Sequence, residues 1–381
     1  MAKILRFLSL LMLLLPIIVT CSPQPTPTPA PILPPAGLQP LAAPSTLALR
    51  PEDVAWTEVV RAAKKEGGLT LYTVYFPGDW GTEMSQLFAK STGLRVEVLV
   101  APGNSSVERI RTERRANSPV ADVLASATLW VLTAKQEGLT QKVADIPELR
   151  DERIFRFDPR LDKDGHILTL QLNTMSPWIN TTLVKPGTEP KSWRDLLKPE
   201  WKGRISMADP DTGTTPNYIF HGLTSRGKLD QSYFTALGKQ ELKFQPNSRL
   251  EVYGLARGEI SLMFATSSNA VIPFLQEGAP LKAIDMAEGI VTYRTGGVAL
   301  LQGVTHPNAA RVFINWLFSK EGQSIFGKGA GSIGFREDVP SFMPPQGQFT
   351  PGNPIMMTLE DELEIAKIQR ERTVSKILRG G

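Results

Sequence analysis

Three runs, Leu69-Thr70-Leu71-Tyr72-Thr73-Val74-Tyr75, Leu94-Arg95-Val96-Glu97-Val98-Leu99-Val100 and Ala121-Asp122-Val123-Leu124-Ala125, are β-prone, and helical periodicity fills the gaps between them. The spacing predicts helices over 53–66, 82–91 and 107–117. The first ends at Gly67-Gly68, the second at Gly93, and a Gly103-Asn104-Ser105-Ser106 turn opens the third. Strands separated by helices of this length form right-handed βαβ units, so the fold class is α/β with mostly parallel sheets flanked by helices. Beyond a long β-prone stretch over 167–184 the alternation begins again. Strands are expected over 205–208, 242–244, 260–264, 281–284 and 293–301, and helices over 193–198, 230–239, 248–257, 269–276 and 308–327. Two such runs predict two lobes, 51–175 with 294–381 and 176–293, joined where the chain crosses at 170–177 and 293–298. A closing amphipathic helix over 358–378 is expected to pack on the first lobe.

The first fifty residues read differently. Lys3 and Arg6 precede an apolar run over 7–19 that falls short of the ~20 residues a membrane span needs, which predicts an export signal over 1–20. Ile18-Val19-Thr20-Cys21 is similar to the lipobox of bacterial lipoproteins, which implies lipidation at Cys21, although Thr20 departs from the usual Gly or Ala. Prolines at 23, 25, 27, 29, 31, 34, 35, 40 and 44 then favour an extended stalk over 21–50, because proline removes amide donors and fixes φ. An exported, membrane-anchored lipoprotein, on the outer face of the cytoplasmic membrane or in the periplasm, is the expectation.

Composition excludes several classes. The chain has 381 residues, of which 41% are hydrophobic and 21% charged, as expected of a globular body. Its +4 charge falls by two once Lys3 and Arg6 are removed, and no basic block exceeds Arg114-Arg115, so nucleic acid is not an expected partner. One cysteine precludes a disulfide framework and a thiolate zinc site. No Gly-x-Ser-x-Gly, His-Glu-x-x-His or P-loop pattern is present, so no enzyme is expected.

The ordered set of segments resembles the bacterial extracellular solute-binding proteins of ABC importers, specifically the ferric-binding-like type II periplasmic binding proteins. The segments are Leu69-Thr70-Leu71-Tyr72-Thr73, Arg109-Ile110-Arg111-Thr112-Glu113 leading to Ala121-Asp122-Val123, Pro190-Lys191-Ser192-Trp193-Arg194-Asp195-Leu196-Leu197 with Trp201-Lys202-Gly203-Arg204-Ile205, Val252-Tyr253-Gly254-Leu255-Ala256-Arg257-Gly258-Glu259, and His306-Pro307-Asn308-Ala309-Ala310. The resemblance implies two hinged lobes that take a solute into the cleft between them and present it to a membrane permease. A monomer without a cofactor is expected. A ligand-presenting sensory lipoprotein is the alternative use of the same architecture.

Ligands in open α/β sheets bind at the carboxyl ends of strands, where helix N-termini offer free amides. The loops expected there carry Thr73, Asn104, Ser105, Ser126, Thr128, Asp211, Thr212, Thr214, Thr266, Ser267, Ser268 and Asn269, with Tyr293 on a crossing strand. Such hydroxyls and amides suit a small polar or anionic solute. Each cluster can equally cap the helix behind it, and the two roles are compatible. The resemblance implies iron ligands at positions that here hold Phe76, Ala127, Ser268 and Asn269, which lack the donors ferric iron takes, so a metal-free ligand is favoured over iron held by non-standard ligands. Arg109, Arg111 and Arg294 are candidate counter-charges for an anion, and Trp80 and Trp130 are candidates for a wall or for core packing.

Overall fold

The computed structural model describes residues 51–143, 145–348 and 354–380. The expected signal, Cys21 and the proline stalk lie outside the described residues. Among those described, no helix is long and apolar enough to cross a membrane.

The strands are β1 Gly68–Thr73, β2 Arg95–Val100, β3 Val123–Ser126, β4 Thr140–Gln141, β5 Leu168–Asn180, β6 Ile205–Ala208, β7 Lys243–Gln245, β8 Leu262–Ser267, β9 Leu281–Ala283, β10 Ile290–Leu301, β11 Ile333–Gly334 and β12 Pro354–Met356. The helices are α1 Pro51–Glu66, α2 Asp79–Thr92, α3 Gly103–Arg115, α4 Thr128–Gln136, α5 Thr215–Ser225, α6 Gln231–Gly238, α7 Ser248–Ala256, α8 Ser268–Gln276, α9 Pro307–Phe318, α10 Lys320–Ala330, α11 Leu359–Arg370 and α12 Thr373–Arg379. One sheet runs through the molecule in the order β2-β1-β3-β10-β5-β8-β6-β7. Strands β1, β2 and β3 are parallel, as are β6, β7 and β8, and the long β5 and β10 join the two sets as an antiparallel pair.

Each half is a sheet covered on both faces. Along β3, Val123 joins a core with Leu71, Phe88, Phe313 and Phe326, whereas its neighbour Leu124 joins Tyr72, Val107, Val131 and Ala299 on the other side. The same alternation along β8 sends Leu262 and Phe264 to Ile205, Met207 and Phe220, and Met263 to Trp178, Val252 and Val271. The crossing strands change core part-way. On β5, Leu172 packs in the first half and Met175 in the second; on β10, Val291 packs in the second and Val298 in the first. The change of core lies between Leu172 and Met175 on β5 and between Val291 and Val298 on β10. Every residue of β5 is buried, which explains a run that is β-prone without strict alternation.

Four expectations need correction. Gly103 to Ser106 are the first turn of α3 and not a turn before it; a Cβ on Gly103 would lie 2.3 Å from the Trp130 ring, so the helix can start there because glycine has none. The helix expected over 308–327 is two, separated at Ser319, which is extended and caps α10 by accepting from the Gly322 amide. The final helix is also two, with Arg372 at φ 57 between them. It does not pack on the first half. Ile365, Ile368, Val374 and Leu378 share the core of Phe220, Phe234 and Leu237, so the C-terminal segment belongs with the half built from β6, β7 and β8.

This placement is tight at Gly238, where a Cβ would lie 2.1 Å from the Leu378 carbonyl oxygen. Gly238→Ala is expected to destabilise the protein by on the order of 1–3 kcal/mol and to speed amide exchange over 373–379. Unchanged exchange there would contradict docking of α12 on α6.

Candidate functional site

The helices that follow β1, β2, β3, β6 and β8 share one property. None of α2, α3, α4, α5 and α8 receives a hydrogen bond from a capping side chain. Elsewhere the ends are closed: Asp230 caps α6, Asn247 caps α7, Ser319 caps α10 and Thr358 caps α11, while Glu66 accepts from the Asn308 and Ala309 amides of α9. Only the seven-residue α12 among the later helices also starts without one. First-turn amides have no acceptor within their own helix, so the uncapped ends at the carboxyl edges of the parallel strands leave donors available. The serines and threonines there are therefore not consumed by capping. The Ser106 Oγ, Ser126 Oγ, Thr128 Oγ1 and Asn269 Oδ1 atoms are buried and have no hydrogen-bond partner among the described residues.

The two sets of ends meet the crossing strands. From the first half, Tyr75 follows β1, its amide donating to the Thr73 Oγ1 at 2.9 Å, and its ring stacks edge-on against Phe326 at 5.4 Å. Phe76 beside it holds φ 62, a left-handed conformation costly for a bulky residue, and is fixed by the Trp80 ring at 4.6 Å. The Tyr75 hydroxyl then reaches β10, where Gly296 has φ +75 and a Cβ would lie 3.3 Å from that oxygen. From the second half, Ser267 and Ser268 meet Asn173 on β5. The Asn173 Nδ2 donates to the Ser267 Oγ at 2.5 Å and to the Tyr293 hydroxyl at 2.7 Å, and the Ser268 Oγ donates to the Asn173 Oδ1 at 2.7 Å. Asn173 and Tyr293 are register partners on the antiparallel pair. Tyr218, in the first turn of α5, packs its ring 5.3 Å from Tyr293 and donates to Glu362 from α11. Burial raises all three phenols above the ordinary tyrosine range, and the nearby Glu362 raises Tyr218 further.

Comparison with known proteins identifies the scaffold. The family profile described as "Bacterial extracellular solute-binding protein" matches residues 72–330. The chain belongs to that family. A solute-binding relative from Salmonella typhi, provisionally named as a 2-aminoethylphosphonate-binding periplasmic protein, is 26% identical over 295 residues, which cover 72% of this chain and 80% of the relative. The ferric iron-binding protein A of Mannheimia haemolytica, solved in an open conformation, superposes with a TM-score of 0.66 at 18% identity, covering 82% of this chain and 98% of that one. The periplasmic binding protein AfuA of Actinobacillus pleuropneumoniae, with fructose-6-phosphate bound, gives 0.52 at 22% identity over 81% and 97%. These are type II periplasmic binding folds, and the chain is a periplasmic solute-binding protein of the ABC-importer type.

Within this solute-binding fold the sequence candidates divide. Thr73, Ser126, Thr128, Ser267, Ser268, Asn269 and Tyr293 lie at the carboxyl edges or on the crossing pair, and Asn104 and Ser105 are exposed on the first turn of α3. Thr214 is the exposed first residue before α5. Thr266 faces the other side of the sheet, opposite Ser176 in the register. Asp211 is engaged elsewhere: it accepts from Arg372, Ser375 and Arg379 of the terminal helices, which lowers its carboxyl to about 2. Thr212 donates to the Pro246 carbonyl at 2.9 Å and shapes the same loop. Arg109 and Arg111 are neutralised by Glu113 and by Glu108 with Glu137. Arg294 follows Tyr293 and so takes the opposite face, donating to the carbonyls of Asp158 and Arg160. Trp80 donates to the Ile325 carbonyl and Trp130 packs beneath Gly103, so both are packing residues. Tyr75, Tyr218 and Tyr293 are the phenols the sequence offers, read there as more often packing than binding; Asn173 and Glu362 escaped the sequence reading, although an asparagine inside a continuous β-prone crossing is the signal that could have exposed the first.

One buried acid supports this edge from behind. Glu251 on α7 accepts from the Ser206 Oγ of β6 at 2.7 Å, its other oxygen has no partner, and burial pushes its carboxyl up to about 8. A pKa raised on folding contributes stability in full below the unfolded value near 4.5, and that contribution is lost as pH rises through about 8. Glu251→Gln is expected to melt with little pH dependence between 5 and 9, whereas the parent loses stability over that interval; parallel melting curves would show that Glu251 titrates normally.

Proposed function

We propose that this solute-binding protein captures a small, metal-free oxyanion, of the phosphonate or phosphate-ester class, between its two halves. The observation that carries the reading is the set of uncapped helix N-termini at the carboxyl edges of both parallel sets, with unpartnered hydroxyls of Ser106, Ser126 and Thr128 beside the first set and the unpartnered amide oxygen of Asn269 beside the second. Amides at a helix N-terminus bind tetrahedral oxyanions through hydrogen bonds and the favourable end of the dipole. The Salmonella relative carries a phosphonate ligand in its name, which agrees with that donor set. Ser126, Thr128 and Asn269 are the direct donors or acceptors in this reading. Ser267, Ser268 and Tyr293 act through Asn173 to hold the crossing strands. The halves, as lobes, close about β5 and β10, and the closed form is what a permease receives. The Cys21 motif supports a lipid anchor that keeps the protein near that permease, with the proline stalk as spacer.

The convergence of Tyr75, Tyr218 and Tyr293 admits a ferric reading, since phenolates bind iron(III). Against it, among the described residues no group of three or more His, Cys, Asp or Glu side chains is placed to hold a metal ion, and the positions where the resemblance implies iron ligands hold Phe76, Ala127, Ser268 and Asn269.

Thermal-shift titration separates the readings. A phosphonate or sugar phosphate at a hundredfold excess over its Kd is expected to stabilise the protein by about 2.7 kcal/mol. Ser126→Ala and Asn269→Ala should each weaken binding by about three- to tenfold, the effect of one neutral hydrogen bond. Iron(III) should give neither stabilisation nor a visible phenolate-to-iron band. Such a band, lost in Tyr293→Phe, would replace the oxyanion reading with the ferric one.

A further inference from the structure

The family match ends at residue 330, and the chain beyond it returns a carboxylate to the crossing strands. Glu362 stands in the first turn of α11 and accepts from the Tyr218 hydroxyl, whose ring lies 5.3 Å from that of Tyr293 at an angle of 43°. Tyr293 in turn accepts from Asn173, the hub that holds the α8 serines. Glu362 is thus one aromatic pair away from the amide-rich edge.

Its surroundings lack a positive charge. The adjacent Asp361 is satisfied by His221 at 2.7 Å and by Arg226 at 2.6 Å, and Asp211 is held by Arg372 and Arg379. Among the described residues, no Lys, Arg or His nitrogen lies within 4.0 Å of the Glu362 carboxylate. Burial disfavours its charged form, and the Tyr218 hydroxyl only partly opposes that effect. A part-buried carboxylate at the hydroxyl end of one ring of a tyrosine pair, without its own cation, has the chemistry of an ammonium receptor: the carboxylate supplies charge-assisted hydrogen bonds and the nearby rings a cation–π surface.

We propose that the solute carries a protonated amine as well as an oxyanion, and that Glu362, with Tyr218 and Tyr293, receives the amine. The proposal rests on the oxyanion reading of the same site and assigns a specificity determinant to a segment outside the family match. It also gives the C-terminal helices a role in choosing the ligand beyond closing a core.

The test compares two probes that differ only in the amine, 2-aminoethylphosphonate and ethylphosphonate, by calorimetric titration of the protein and of Glu362→Gln. The substitution leaves an oxygen for the Tyr218 hydroxyl while removing the charge, and circular dichroism with a melting curve verifies that the variant folds. The parent is expected to prefer the amine-bearing probe by about tenfold or more, and Glu362→Gln to lose that preference while binding ethylphosphonate as before. Equal affinity of the parent for both probes, a preference that survives in the variant, or an equal loss for both would each overturn the role of Glu362 and leave the oxyanion site standing. Failure of the parent to bind either phosphonate would overturn the oxyanion reading itself, and this assignment with it.

Discussion

The antiparallel pairing of β5 with β10 is the constraint on which the rest of the molecule hangs. Each strand begins in one core and ends in the other, so the same ladder that holds the sheet together connects the halves. Because side chains alternate along a strand, the pairing also decides what faces the carboxyl edges. Asn173 and Tyr293 are opposite one another and point to the side of Ser267 and Ser268, which forces Arg294 to the other face. A one-residue slip that exchanged Tyr293 and Arg294 would place a guanidinium beside the Asn173 hub where the phenol now sits. If the halves close about these strands as proposed, a ligand touching this hub would act directly on them and would shift the equilibrium by as much as it prefers the closed form.

The uncapped helix ends are the second constraint. A buried polar atom without a partner costs about 1–3 kcal/mol, and the structure keeps several of them along the carboxyl edges while it caps most of its remaining helices with care. Packing cannot be the reason, since Ser126 or Thr128 could be replaced by alanine or valine at little loss of volume. On the proposed reading, an arriving oxyanion would satisfy atoms that the fold already holds in place, which would make the site preorganised and unlike a surface that orders itself around its ligand.

Much of this was readable in the order of residues. The three opening strands and their helices follow from periodicity and punctuation, because each depends on neighbours within one turn or one strand. The carboxyl-edge hydroxyls were legible for the same reason. What local pattern could not supply was partnership between distant segments. Asp211 looks like a loop ligand until Arg372 and Arg379 arrive from about 160 residues later and claim it. Arg109 and Arg111 look like anion receptors until Glu113, Glu108 and Glu137 are seen beside them. The terminal helices show the limit most plainly: their apolar stripes call for a partner, but either half offers an apolar face, and the choice rests on distant fits such as Leu378 against Gly238 and Arg372 with Asp211.

That selection shapes the electrostatics of the site. In the proposed oxyanion site, with the helical arginines neutralised and Arg294 turned away, the amide-rich edge would attract an anion through short-range dipoles and hydrogen bonds. Its discrimination would then depend on geometry and desolvation more than on net charge, and the attraction would fade quickly if the halves separate. A long-range positive field would bind an anion almost as well in the open state and hold it against release. Docking the C-terminal segment on the second half adds one negative group, Glu362, at a fixed place beside the tyrosines, while its neighbour Asp361 is spent on Arg226 and His221. On the proposed reading, neutral donors at one end and the Glu362 carboxylate at the other would make a site polarised along its length. Such a site would distinguish solutes by where their charges lie and not only by how many they carry.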